Sequence, residues 1–268
     1  MVAFAKMNGA GNDFVLVDNR DGSLRLTRDQ VVRICDRQRG VGADGLLLLA
    51  SCASGRAQWA WEFFNRDGSA AEMCGNGARC FARYVQRLTG ASGQVTFETG
   101  AGVITAWFEG DEVTVGLTAP RDLRLNQTVV LEGGAQCVHS INTGVPHAVV
   151  IVPDVEAARV LSAGAEIRHH PHFAPRGTNV NFVQVVGPGS LRVRTYERGV
   201  EGETLACGTG VTASALVCAR LQGFASPVRV SVRAGETLRV GFAEAGGDFR
   251  DVRLSGPADF VFEGEIAL

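Results

Sequence analysis

The chain has 268 residues, 46% hydrophobic and 20% charged, with a formal net charge of −2. That composition belongs to a folded globular protein, long enough for one large domain or two of roughly 130 residues each, and it excludes extended disorder. No basic run exceeds two residues, no apolar run is long enough to cross a bilayer, and "MVAFAKMNGAGNDF" lacks an apolar leader core; the expected partner is a small molecule in the cytoplasm, with no nucleic acid and no membrane.

Along the chain, "FVLVDNR" (14–20), "GLLLLA" (45–50) and "AQWAWEFFNRDG" (57–68) read as strands. The turn "EMCGNGA" (72–78) then leads into about four helical turns, "GARCFARYVQRL" (77–88), which stop at Gly90. Alternating "QVTFET" (94–99), "GVITAWF" (102–108) and "EVTVGL" (112–117), punctuated by Gly and Asp, fit antiparallel hairpins. Pro120 follows the last of these and marks a boundary between residues 1–118 and 119–257, with 258–268 available to return to the first domain.

In the second half, "HSINTGVPHAVVIV" (139–152), "TNVNFVQVV" (178–186) and "LRVRTYERG" (191–199) supply strands before the turn "TLACGTG" (204–210). The helix "GVTASALVCARL" (210–221) is apolar or small on nearly every face, which predicts that it is enclosed. It stops at Gly223, and "PVRVSV" (227–232), "TLRVGF" (237–242) and "DVRLSG" (251–256) follow as strands.

Residues 74–102 align on 207–235 without a gap at an offset of 133, and ten of the 29 positions are identical. The matches include Cys74/Cys207, Gly75/Gly208, Gly77/Gly210 and Gly90/Gly223, and Asn65 and Arg198 lie at the same offset. A domain has been duplicated. The expected class is α+β: two pseudo-symmetric domains, each an antiparallel β-barrel wrapped around a central helix.

A cysteine at a helix N-terminus faces unpaired backbone N–H groups and the positive end of the helix dipole, which favour thiolate and lower its pKa from about 8.5. The same N–H groups bind carboxylates, and the flanking glycines allow close approach. Two such thiols related by a pseudo-twofold would face each other across a cleft with carboxylate cradles beside them. That arrangement suits inversion of an amino-acid α-carbon, in which one thiolate removes a proton and the other thiol returns one to the opposite face.

The seven cysteines are odd in number and irregularly spaced, with no CxxC pair, so reduced thiols are expected. His139, His147, His169, His170 and His172 show no zinc-type spacing, no metal is expected, and "HHPHF" reads as an exposed loop. "GTGVTA" (208–213) matches a dinucleotide pattern, but no tight preceding strand and no acidic residue about 20 positions on accompany it.

Six ordered motifs carry a resemblance to the diaminopimelate epimerase family across nearly the whole chain: "MNGAGNDF" (7–14), "RGVGADG" (39–45), "FNRDGSAAEMCGNGARC" (64–80), "TGVPH" (143–147), "TNVNF" (178–182) and "YERGVEGETLACGTG" (196–210). The resemblance implies a cofactor-independent enzyme that interconverts LL- and meso-diaminopimelate in lysine and peptidoglycan synthesis, and a homodimer. It implies that Cys74 and Cys207 are the acid/base pair, assisted by His147 and Glu197. Backbone amides at Gly75, Asn76, Gly208 and Thr209 would hold the reacting carboxylate, and Asn12, Asn65, Asn179 and Arg198 would contact the other polar groups of the substrate. The chain departs from the family pattern at Val145, where many relatives carry Asn, and at Gly45, where some carry Gln; the loss of that Asn removes a polar contact expected at the distal substrate end.

Taken singly, each of these residues also fits a plain structural role. Asn in "GNDF" and "FNRDG" forms turns, His147 after a proline caps loops, and Glu197-Arg198 fits a solvated pair. Two rival functions stay open at this point: a related racemase or isomerase acting on another amino acid, and a thiol-redox or carboxylate-binding protein without proton transfer.

Overall fold

In the computed structural model, which describes all 268 residues, Met1–Gly116 and Gly256–Leu268 form one unit and Leu117–Ser255 a second. The first unit runs β1 (Val2–Gly9), β2 (Asn12–Asp18), α1 (Arg28–Cys35), β3 (Gly45–Ser51), β4 (Trp59–Asn65), α2 (Gly75–Thr89), β5 (Gln94–Thr99), β6 (Gly102–Glu109) and β7 (Glu112–Gly116). The second runs β8 (Arg121–Leu131), β9 (Gly134–Asn142), β10 (Pro146–Ile151), α3 (Val160–His169), β11 (Asn179–Gly187), β12 (Ser190–Glu197), β13 (Gly202–Thr204), α4 (Gly208–Gln222), β14 (Val228–Ser231), β15 (Thr237–Ala245) and β16 (Asp248–Pro257). The last strand, β17 (Asp259–Ile266), belongs to the first unit, where Val2 pairs with Ile266.

Within the first unit the strand order is β17-β1-β2-β3-β4-β5-β6-β7. Helix α2 touches β1, β2, β3, β5, β6 and β7, so the sheet curls around it. The second unit repeats the scheme as β8-β9-β10-β11-β12-β14-β15-β16, with the short β13 also on β12. There α4 touches β9, β10, β11, β12, β14 and β15.

The expected purely antiparallel order needs correcting in two places per unit. The pairs β2/β3 and β4/β5, and likewise β10/β11 and β12/β14, are parallel. A parallel pair requires a crossover, and α1 and α2 supply it in the first unit, α3 and α4 in the second. The central helices are therefore part of the chain path that builds each sheet as well as its core.

Burial explains the composition of the two helices. In α2 the apolar side carries Phe81, Tyr84 and Val85, and Phe81 packs on Phe97 of β5 (centroids 4.8 Å) and on Trp61 of β4 (5.7 Å). In α4 everything from Val211 to Ala219 is buried. Its small residues let strands approach on all sides, and the Thr212 and Ser214 hydroxyls donate back to the Gly208 and Gly210 carbonyls at 2.9 and 2.8 Å, so burial leaves neither unpaired. Both helices end on a left-handed glycine, Gly90 at φ 68° and Gly223 at φ 69°, a conformation that would strain a residue with a Cβ. The largely exposed "HHPHF" segment closes α3 with His169 and then forms a short 3₁₀ turn, Pro171–Phe173: the His170 ring accepts from the His172 N–H and Pro171 presets the first turn position.

Candidate active site

In the first unit Cys74 is the N-cap of α2, in extended backbone, and its sulfur accepts from the Gly77 N–H at 3.5 Å. The thiol thus lies over the unpaired N–H groups of the first turn, where the helix dipole favours negative charge. Gly75 and Asn76, which follow it, are buried.

Asn12, at the start of β2, presents Oδ1 to the Cys74 sulfur at 3.8 Å and to Asn76 Nδ2 at 3.5 Å. Its own amide nitrogen donates to Asp44 at 2.6 Å. Arg37 bridges Asp44 and Asp13, with bonds of 2.9 Å to each carboxylate, and the buried Lys6 ammonium donates to Asp13 at 2.9 Å and to the Gly42 carbonyl. Burial alone would raise the Asp13 pKa, but the hydrogen bonds of Arg37 and Lys6 outweigh it and hold the carboxyl well below its usual range. Beneath the turn, fully buried Arg79 donates to the Asn76 side chain at 3.0 Å and to the Gly75 carbonyl at 3.4 Å. Asn65 stands apart from this group: it is exposed at the end of β4, and its amide donates to Ser69 in its own turn at 3.0 Å.

In the second unit Cys207 is the N-cap of α4 and 7% exposed, with its sulfur 3.5 Å from the Thr209 hydroxyl oxygen. The Thr143 hydroxyl donates to the Thr209 carbonyl at 2.9 Å and ties this turn to the "TGVPH" segment. His147 on β10 is fully buried and registers opposite Asn179 on β11. Asn179 donates to the Pro146 carbonyl at 3.3 Å and accepts the Arg198 backbone N–H at 2.8 Å. The Arg198 side chain reaches the Arg176 carbonyl at 3.3 Å, and Glu197, half-buried, closes β12 opposite Gly202 of β13. Desolvation, with a further contribution from the Arg198 charge, pushes the His147 pKa down to about 3, so this imidazole is neutral at pH 7.

Reading the residues missed four members of these two groups. Asp44 holds Asn12 and Arg79 the α2 turn, while Thr143 holds the α4 turn and Asn181 lies 3.1 Å from His147 Nδ1. The one available signal was a second amide, Asn181, two positions from Asn179 in a Val- and Phe-rich strand, which places both carboxamides on one face. In each unit the result is a thiol at a helix start, a ring of backbone N–H donors, and amide side chains held by a deeper polar layer. Such a half-site has the groups to bind an anion and to move a proton.

Solved structures share this fold. A Bacillus anthracis phenazine biosynthesis protein superposes with a TM-score of 0.77 at 16% identity, covering 100% of this chain and 99% of that one. A probable proline racemase from Agrobacterium radiobacter K84 gives 0.72 at 18% identity, covering 100% and 93%. The architecture is therefore the α+β fold of that group of proteins.

The family is narrower than the fold. The diaminopimelate epimerase family model matches residues 4–121 and 139–246. A diaminopimelate epimerase from Aquifex aeolicus is 46% identical over 98% of this chain and 97% of its own length, and one from Chlorobaculum tepidum 44% over 98% and 100%. The chain belongs to the diaminopimelate epimerase family.

Proposed function

We propose that this chain interconverts LL- and meso-2,6-diaminopimelate by moving the α-proton with two cysteines and no cofactor, pyridoxal phosphate included. The observation that carries the reading is the recurrence of one device, a cysteine N-cap before a glycine turn and a buried helix, in both units of a chain from this family. One thiolate, Cys74 or Cys207, takes the α-proton, and the other thiol supplies a proton to the opposite face; the roles exchange in the reverse direction.

Negative charge that develops on the α-carbon spreads into the adjoining carboxylate. Backbone N–H groups of Gly75, Asn76, Gly208 and Thr209 are the donors assigned to it, and fixed dipoles of this kind require no reorganisation as charge builds. Asn12, Asn65, Asn179 and Arg198 are assigned to the remaining amino and carboxylate groups; the guanidinium offers a fork for a second carboxylate. His147 and Glu197 assist proton movement at the thiols. The reaction serves lysine and peptidoglycan synthesis, in the cytoplasm, and the enzyme acts as a homodimer.

The test is incubation with LL-diaminopimelate in D₂O under reductant, following meso product and α-deuterium by NMR and mass spectrometry. Wild type is expected to form deuterated product, and Cys74→Ala and Cys207→Ala to form none. Product without solvent deuterium, or full turnover by either variant, would refute the two-thiol mechanism. No turnover at all by wild type would move the search to other amino acids, a reading for which the Val145 and Gly45 departures are the motive.

A further inference from the structure

Asn181 lies near the start of β11 and is fully buried, a place where a carboxamide destabilises the fold unless its groups are paired. Here they are paired on both ends. Nδ2 donates to the Ala148 carbonyl at 3.0 Å and lies 3.1 Å from His147 Nδ1, while Oδ1 accepts from the Thr195 hydroxyl at 3.0 Å.

These contacts decide a proton position. The Ala148 carbonyl can only accept, so it fixes which end of the carboxamide is NH₂. The second N–H of that group then faces His147 Nδ1, which must be the acceptor, and the single proton of the neutral ring is left on Nε2. This Nε2 is buried and has no hydrogen-bond partner. A buried donor without an acceptor costs stability, so its retention here calls for an explanation. The site is adjacent to the chemistry: a Cβ placed on Gly210 would lie 2.2 Å from Asn181 Oδ1 and 3.4 Å from Cys207 Cβ.

We propose that Asn181 is a positioning residue that locks His147 in the Nε2–H tautomer, so that His147 enters the reaction as a hydrogen-bond donor and not as a base. The consequence for turnover rests on the proton-transfer reading above. The tautomer does not, and it is measurable without substrate.

The experiment uses protein labelled with ¹⁵N-histidine and long-range ¹H–¹⁵N correlation spectra at pH 7, with His147 assigned by its disappearance in His147→Gln. Wild type is expected to show a protonated Nε2 and a bare, acceptor-type Nδ1. In Asn181→Asp the carboxylate facing Nδ1 can only accept, so the proton is expected to move to Nδ1. In that variant kcat should fall about 10²-fold, within the range for a misdirected proton-transfer group, with KM nearly unchanged.

An Nδ1–H or doubly protonated ring in wild type overturns the proposal, and this spectrum decides even if Asn181→Asp does not fold. So does an Asn181→Asp ring that keeps its proton on Nε2, whatever happens to kcat, because that pattern belongs to a merely structural residue. A ring that changes tautomer with kcat intact overturns it equally. If wild type exchanges no α-proton, the proposed reaction falls while the spectrum still reports the tautomer, so the two failures are distinguishable.

Discussion

Asp44 Oδ2 accepts from Asn12 Nδ2 at 2.6 Å, and this bond turns the other end of the Asn12 carboxamide toward the Cys74 sulfur. Asp44 also accepts from the Asp13 backbone N–H at 3.3 Å and from Arg37. Asp44→Ala removes all three acceptor roles and frees Asn12 to rotate. Because misplacement by about 1 Å of a group assigned to the substrate costs on the order of 10²-fold, kcat is expected to fall by about that factor. Arg37→Ala should cost much less, since that guanidinium is 52% exposed and its ion pairs are screened. Steady-state kinetics on the two variants check this; equal effects would mean that Asp44 acts through charge rather than through Asn12.

Gly77 and Gly210 occupy the same place in the two helix starts but not the same surroundings. An alanine Cβ at 210 would fall 2.2 Å from Asn181 Oδ1, which cannot retreat without losing the bonds to Thr195, Ala148 and His147. At 77 the nearest atoms belong to Phe14 at 3.4 Å. Gly210→Ala is therefore expected to destabilise by about 1–3 kcal/mol, the usual scale of overpacking, and to lower kcat, whereas Gly77→Ala should change stability little. Urea unfolding of both variants measures the difference.

What the residues announced and what they concealed follow from how local each signal is. The two cysteine turns, their helices and the glycine stops at Gly90 and Gly223 are written in consecutive residues, and the helices came out at Gly75–Thr89 and Gly208–Gln222. Helix α1 is eight residues long with only Val31, Ile34 and Cys35 buried, and its clearest mark is the Thr27/Gln30 capping box. Helix α3 has no side-chain cap and carries Gly164, where Tyr196 packs so closely that a Cβ would lie 2.7 Å away; a mid-helix glycine weakens the helical signal. Without those two crossovers the parallel pairs β2/β3 and β10/β11 could not be read. Strand β8 is broken by positive φ at Asp122 and Asn126 and by shifts of register, so its alternation does not read cleanly. Asp44 and Asn181 act through partners far along the chain, 32 residues for Asp44 with Asn12 and 34 for Asn181 with His147, and no short window contains such a pair.

Acid should weaken the fold through His147. Its pKa is about 3 in the folded protein against 6.5 for an unperturbed histidine, so between those values the unfolded chain binds the extra proton. Stability from this group is complete above pH 6.5 and is lost as pH falls toward 3. At pH 5 the loss is about 2 kcal/mol relative to pH 7. His147→Gln lacks the group and should lose less on the same change. Urea unfolding of both proteins at pH 7 and pH 5 tests it, and parallel losses would show that His147 is not the group responsible.

Six of the seven thiols, all but Cys207, divide by environment, and alkylation should sort them. Burial pushes the pKa of Cys35, Cys80 and Cys218 up to about 12, which leaves on the order of one thiolate in 10⁴ at pH 8. Cys137 is exposed, and the Ser54 hydroxyl beside the Cys52 thiol draws its pKa down. Cys74 is only half-buried, with its sulfur over a helix N-terminus. Brief iodoacetamide treatment at pH 8 is therefore expected to label Cys52, Cys74 and Cys137, and to leave Cys35, Cys80 and Cys218 intact, as read by peptide mass spectrometry. Among these six, inactivation should follow the Cys74 adduct, persist in a Cys52→Ser/Cys137→Ser background, and slow when diaminopimelate occupies the N–H donors beside the sulfur. Inactivation that instead disappears in that background would assign the essential thiol to the surface and remove Cys74 from the reaction.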